Sequence, residues 1–210
     1  MEAARKLERT AGSRAMKPQQ IRQAALRLFQ EQGYGAVSMD AIAREAGVSK
    51  ATIYAHFADK AELFEDMMKS ACREEWVAVS MLDAVPGDLG AELRAIGKAY
   101  AEFLVEPRVV RLYRMVVAES PRFPELGRAF FEAGPRLITG KLAAYLQRAE
   151  AQGKLALGGA SNRAAQNFLA MLRCEPHLRA ILALDKSPEM PEIAAIVDSA
   201  TDMFLRAYRP

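Results

Sequence analysis

Apolar and polar positions fall into a helical rhythm along nearly the whole chain, with glycine and proline marking the breaks. Ile21, Ala24, Ala25, Leu28 and Phe29 form an i, i+3, i+4, i+7, i+8 stripe between Pro18 and Gly33, which predicts a first helix with one buried face. Asp59 and Glu62 form a D-x-x-E cap, behind which Leu63, Phe64, Met67, Met68 and Ala71 begin a longer stripe that runs past Trp76. A break at Pro86-Gly87 precedes a helix with Leu89, Leu93, Ile96, Tyr100 and Phe103 or Leu104. Pro107 opens another, with Val109, Leu112, Tyr113 and Val116, which Pro121 and Pro124 close. A longer helix runs to about Gln152 with Pro135 as a kink, and Gly153 with the Gly158-Gly159 pair marks the next loop. Asn167 to Met171 lies in one late helix, and the other runs from about Ser187, a cap followed by Pro188, to Tyr208. No strand-like alternation, repeat or low-complexity run interrupts this pattern, so the expected fold is all-α, with about nine helices.

Residues 38–60, SMDAIAREAGVSKATIYAHFADK, carry the most specific arrangement. Ser38 can cap a helix by accepting a free backbone N–H, and Ile42 and Ala46 share one face of it. Gly47 ends that helix where a tight turn calls for a left-handed residue, Val48 turns inward, and Ser49 can cap the next helix. Ile53 and Phe57 recur as the buried side of that second helix, while Ala43 is small enough to let the two helices cross closely. These features describe a helix-turn-helix. With Ile53 inward, a rotation of about 100° per residue puts Ala51 and Ala55 outward, flanked by Thr52 and Tyr54. Two alanines let a helix backbone approach base edges and touch a thymine methyl, while Lys50 and Thr52 can reach bases or phosphates and Tyr54 can donate to a phosphate. The alternative is a surface helix pair in an all-helical protein, against which stands the agreement of glycine, caps, small residue and apolar positions in one register.

GVSKATIYAHFADKAELF resembles the DNA-binding signature of TetR-type transcriptional regulators: recognition helix, Tyr-x-His-Phe segment, and a lysine opening a connecting helix. The resemblance implies operator contacts, mostly at phosphates, by Thr52, Tyr54, His56 and Lys60. The DNA-binding residues expected are therefore Ser38, Ser49, Lys50, Ala51, Thr52, Tyr54, His56 and Lys60. It also identifies the Ile21 stripe as the family's first helix. The domain reading is a flexible basic arm over 1–17, a three-helix DNA-binding head over 18–62, and a larger helical regulatory body over 63–210.

Charge supports the head as the DNA-facing part. Residues 1–60 hold ten Lys or Arg against six Asp or Glu, a balance of +4 in a chain whose total is +3. Arg5, Lys6, Arg9, Arg14 and Lys17 lie in a stretch with little apolar periodicity, expected as an arm that touches DNA or stays solvated. Cys72 and Cys174 stand apart, with neither a CxxC nor a histidine at ligand spacing, so neither a metal site, a disulfide framework nor a cofactor is expected. His56 as a catalytic base lacks a nearby nucleophile or an oxyanion turn, which argues against a helical enzyme. No run of 18 or more apolar residues and no signal-peptide stretch is present, so the expectation is a cytoplasmic protein with no membrane partner.

In the body, residues 118–155 resemble the ligand-binding half of an AefR-like TetR subgroup, with Pro176 in RCEPHLR a departure expected to bend the helix before the final one. Trp76, Phe103, Tyr113, Met115, Phe130, Phe168 and Met171 offer aromatic and thioether surface for a pocket, with Arg111 or Arg114 to meet a polar or acidic group; ordinary core packing is the competing account. Phe168, Ile196, Ala200, Met203, Phe204 and Ala207 form an apolar seam expected at a homodimer interface, unless it packs within its own subunit. TetR-type proteins commonly pair through their last two helices. The expected partners are thus a double-stranded DNA operator, a second copy and a small apolar or amphipathic effector, with a regulator lacking any such ligand as the alternative.

Overall fold

The computed structural model describes residues 2–74, 87–173, 175–184 and 190–210, of which 2–16 and 71–74 through their backbone. Every regular element among them is helical. In chain order these are α1 (Glu2–Gln32), α2 (Met39–Glu45), α3 (Lys50–Tyr54), α4 (Lys60–Glu74), α5 (Leu89–Val105), α6 (Pro107–Glu119), α7 (Pro124–Phe131), a π-helical turn (Glu132–Arg136), α8 (Leu137–Ala151), α9 (Ser161–Leu172), α10 (Glu175–Leu182) and α11 (Met190–Ala207). No helix among the described residues is long and apolar enough to cross a membrane.

The segment expected to be a flexible arm is helical instead. Helix α1 starts at Glu2 and carries Pro18 inside it. The stretch is rich in alanine, arginine, lysine and glutamate, strong helix formers that outweigh Thr10, Gly12 and Ser13, and backbone propensity needs no apolar stripe. The proline forfeits one N–H without ending the helix.

The chain forms two compact units. One comprises Met1–Ala71 with Met115–Phe130, the other Cys72–Arg114 with Phe131–Pro210. Residues 115–130, expected as part of the body, pack in the compact unit that holds the DNA-binding head. The reason is a glycine turn after α1. A Cβ on Gly33 would meet Glu119 Oε1 at 2.9 Å, and one on Gly35 would meet the Phe123 ring at 3.0 Å, so two missing side chains let the end of α6 and the following turn lie against the head. Tyr34, between them, packs its ring on Phe29, Phe64 and Phe123 with centroids 5.1, 5.8 and 5.3 Å away.

The second unit has its own core. Leu93, Ile96 and Tyr100 of α5, Leu142 and Leu146 of α8, Phe168 of α9, and Val197 and Phe204 of α11 belong to one buried cluster. A Cβ on Gly97 would come within 3.2 Å of Val197 and 3.3 Å of Leu172, so α5 approaches α9 and α11 closely. Arg94 bridges α5 to α11 through Asp198 at 2.9 Å and Asp202 at 2.6 Å. Pro135 does not simply kink a helix: the π turn around it widens the coil and accommodates the residue that has no N–H. Pro176 sits buried in the first turn of α10, where a missing N–H costs no intrahelical bond. Ser187 and Pro188, the expected start of the last helix, lie outside the described residues; the helix is described from Met190.

Candidate nucleic-acid interface

The geometry of residues 38–60 follows from local hydrogen bonds. Ser38 Oγ accepts from the Ala41 N–H at 3.1 Å and opens α2. At the other end the Val48 N–H reaches the Ala43 carbonyl at 2.9 Å and the Gly47 N–H reaches Arg44 at 3.1 Å, a Schellman closure. Gly47 has φ +65°, and nothing lies within 4 Å of where its Cβ would stand, so the backbone conformation alone demands glycine. Ser49 Oγ accepts from the Thr52 N–H at 3.1 Å and pairs with the Thr52 hydroxyl at 2.8 Å. Helical bonding continues past the short α3, with the Phe57 N–H on the Ile53 carbonyl at 2.9 Å.

Burial sorts the faces as the periodicity demands. Ile42, Ala43, Ile53 and Phe57 are buried; Ala51 and Ala55 are exposed, and Tyr54 is 45% exposed. Lys50 is exposed and bridges to Asp40 at 2.9 Å, which raises its pKa, with Tyr54's ring centroid 6.0 Å away. Thr52 and His56 are half-buried, His56 with its ring 6.2 Å from Phe57. Ser38 and Ser49 spend their hydroxyls on caps, which positions the helices.

Lys60, expected at a phosphate, is engaged within the head. Its Nζ points inward, donating to the carbonyls of Tyr34 at 2.6 Å and Val37 at 2.9 Å, and stands 4.2 Å from the Tyr34 ring centroid. Burial lowers its pKa, opposed by the Glu119 and Glu125 carboxylates, while burial pushes the Tyr34 phenol up to about 12. The lysine therefore ties the start of α4 to the loop before α2. Asp59 and Glu62 fix the same corner: the Glu62 N–H reaches Asp59 at 2.8 Å, and Glu62 accepts from the Ala58 N–H at 2.7 Å.

This arrangement sets a short helix, faced by two alanines and edged by Lys50, Thr52 and Tyr54, on a rigid pair of capped helices. The chain's matches to known proteins agree with it. Residues 21–67 match the model of bacterial regulatory proteins of the tetR family, and residues 91–210 match that of the AefR-like transcriptional repressor, C-terminal domain. The chain belongs to the TetR family. A TetR-family transcriptional regulator from Mesorhizobium loti MAFF303099 superposes with a TM-score of 0.81 at 28% identity, covering 94% of this chain and 98% of that one. The Flavonoid-responsive Regulator FrrA superposes with a TM-score of 0.77 at 35% identity, covering 93% and 98%. HTH-type transcriptional regulator AcrR of Shigella flexneri is 47% identical over 49 residues, 23% of each chain; the alignments to this and the other curated relatives span less than half of their lengths. The protein is thus a helix-turn-helix transcriptional regulator, as its TetR relatives are, and not an enzyme.

Within the second unit the expected pocket residues take separate places. Phe168 is fully buried in the core, Phe103 and Met171 pack against it, and Arg111 is exposed. Arg114 holds the end of α10, donating to the carbonyls of Ile181 at 2.6 Å and Ala180. Met115 and Phe130 belong to the head's unit, and Trp76 lies outside the described residues. A cleft of about 560 Å³ lies elsewhere, between the π turn, α8 and α9, with Tyr100, Arg136, Thr139, Gln166 and Arg173 among its walls. Its signal in the sequence was the polar stripe Asn162, Gln166 and Arg173 at helical spacing, flanking the buried face of α9.

The apolar seam of α11 divides. Ala200 and Phe204 are buried inside the subunit, Phe204 with its ring 5.2 Å from Phe168 and 4.8 Å from Tyr208, so these three expected interface residues, Phe168 included, are core. Ile196 is half-buried, whereas Met203, 51% exposed, and Ala207 face outward.

Proposed function

We propose that this TetR-family regulator binds a palindromic operator as a homodimer in the cytoplasm, acts as a repressor, and is released by a small, largely apolar effector. The observation that carries the reading is the outward face of α3, with Ala51 and Tyr54 exposed and Thr52 at its edge, held in place by the Ser49 cap and the Gly47 turn. Lys50, Thr52, Tyr54 and His56 make the contacts with bases and phosphates, and Lys60 positions the helix pair. A single head reads only a few base pairs, so two-fold pairing is the arrangement that doubles contacts on a palindrome. The outward Met203 and Ala207 and the half-buried Ile196 of α11, with the outer face of α9, form the paired surface.

Two relatives differ in sign: FasR of Mycolicibacterium smegmatis is an activator, and IcaR of Staphylococcus aureus is a negative regulator. Repression is favoured because the body matches the AefR-like repressor model. FrrA is flavonoid-responsive by name, which makes flat phenolic molecules the first effectors to screen. Selection of bound sequences from random duplex DNA by the full-length protein tests the reading, with mass measurement of the complex. Two protomers on an inverted repeat are expected; one protomer on an asymmetric site overturns the dimer, and no enrichment overturns DNA recognition.

A further inference from the structure

Asp40, in the first turn of α2, holds the ammonium of Lys50 at the start of α3, with Nζ 2.9 Å from Oδ2. Both side chains are more than half exposed, and from Ser49 to Ala58 the chain carries no acidic residue, so Asp40 supplies the carboxylate beside the recognition helix. Phosphates repel a carboxylate there, which costs affinity for DNA of any sequence. The helix pair does not need this tie. Ser38 and Ser49 cap the two helices, the Val48 N–H closes α2 on the Ala43 carbonyl, and Ile42, Ile53 and Phe57 are buried. A solvent-exposed ion pair adds little stability to such a frame. As an acid in its first turn Asp40 also favours the dipole of α2, a role it would fill without touching Lys50.

What the pair fixes is the position of the ammonium. Lysine is a point charge on a flexible stem, and beside DNA an unheld lysine takes a phosphate, a contact that carries no sequence information. In this head the ammonium already has a carboxylate in contact and the Tyr54 ring centroid 6.0 Å away, so a phosphate has less to offer it. One of its three N–H groups is engaged by Asp40. The two left match the O6 and N7 acceptors that guanine presents in the major groove, whereas adenine sets an N6 donor beside its N7.

We propose that Asp40 determines operator specificity by holding Lys50 on a guanine at one position of each half-site and off the phosphates, so that general DNA affinity is exchanged for sequence discrimination. Specificity gained by a group that opposes the wrong contact is a general device. The inference rests on the reading that α3 enters the major groove.

The test uses the full-length protein and the duplex it selects from random DNA. Asp40→Asn, Lys50→Met and the double variant are compared by anisotropy on that duplex across a salt series, on its single-base-pair variants and on random duplex. Wild type and Asp40→Glu should prefer guanine at one position of each half-site by about tenfold, and Lys50→Met should lose the preference at that position alone. In Asp40→Asn the preference should fall to about threefold or less, while random duplex binds more tightly and the salt dependence steepens by about one unit per protomer as each freed lysine moves to a phosphate. In the Lys50→Met background, Asp40→Asn should change neither the preference nor the slope. An Asp40→Asn variant that keeps both, that only lowers the melting temperature, or that loses discrimination equally without Lys50 overturns the proposal. Ala51→Glu separates the two levels. If it binds the selected duplex as wild type does, α3 does not enter the groove and the underlying reading fails as well; if it loses the duplex while Asp40→Asn reads it as wild type does, only the role of Asp40 falls.

Discussion

Replacing Lys60 by methionine keeps a long apolar stem and deletes the ammonium, which separates holding the head together from touching DNA. The lost contacts are two bonds, 2.6 and 2.9 Å long, to the carbonyls of Tyr34 and Val37, and the cation over the Tyr34 ring at 4.2 Å. Hydrogen bonds from a charged donor contribute about 1.5–3 kcal/mol each and a half-buried cation–π contact about 1 kcal/mol, against which stands the cost of burying the ammonium. That cost is real, since burial lowers the lysine pKa. The balance is a destabilisation of about 2–4 kcal/mol for Lys60→Met. Urea unfolding followed by circular dichroism should show a lower midpoint with an unchanged slope. Binding of the folded variant to duplex DNA, followed by anisotropy across a salt series, should keep the wild-type dependence because no phosphate contact is lost. A slope reduced by about one unit with unaltered urea stability would instead place Lys60 on a phosphate.

Phe204→Asp puts a charge in the subunit core beside Phe168 and Tyr208, so about 3 kcal/mol or more of stability should be lost in calorimetry. Met203→Asp, at an exposed position, should leave the fold intact and shift light scattering toward monomer; a folded monomeric Phe204→Asp would contradict this division of the helix. His177 is buried with Nδ1 3.0 Å from the Leu104 carbonyl and Nε2 unpaired, and its pKa is lowered, chiefly by burial, with Arg173 adding to the effect. The unfolded chain takes up the proton first, so this contribution to stability is complete above about pH 6.5 and is lost as pH falls toward the lower folded value. Denaturation midpoints measured from about pH 7.5 to about pH 5.5 should fall in the wild type and fall less in His177→Leu; equal slopes would assign the dependence to other groups.

The helix-turn-helix was legible because its determinants are local. Ser38, Gly47 and Ser49 act on backbone groups within five residues, and Ile42, Ile53 and Phe57 declare their faces by spacing. The inward bonds of Lys60 were not legible, because their acceptors, the carbonyls of Tyr34 and Val37, lie more than 20 residues upstream, and no periodicity reports on them. The packing of 115–130 against the head was hidden for a related reason: the closeness of Gly33 and Gly35 to Glu119 and Phe123 exists only in three dimensions. On α11 the apolar stripe is wide enough to serve two surfaces. Ile193, Val197, Ala200 and Phe204 take the core side, and Met203 and Ala207 lie just outside it, a distinction of one helical step that composition cannot make. The cleft was hidden because its walls come from three separated stretches, and arginine, glutamine and threonine on a helix read as a solvated face.

The central claim is that α3 enters the major groove with Ala51 toward the bases. Fluorescence anisotropy of the full-length protein on its selected operator, comparing wild type with Ala51→Glu, tests it most directly. Ala51 is exposed, so glutamate there leaves the fold unstrained while setting a carboxylate against base edges and phosphates. The account predicts an unchanged melting temperature and an operator affinity at least about a hundredfold weaker, equivalent to about 3 kcal/mol. Wild-type affinity in Ala51→Glu would show that this face does not meet the bases.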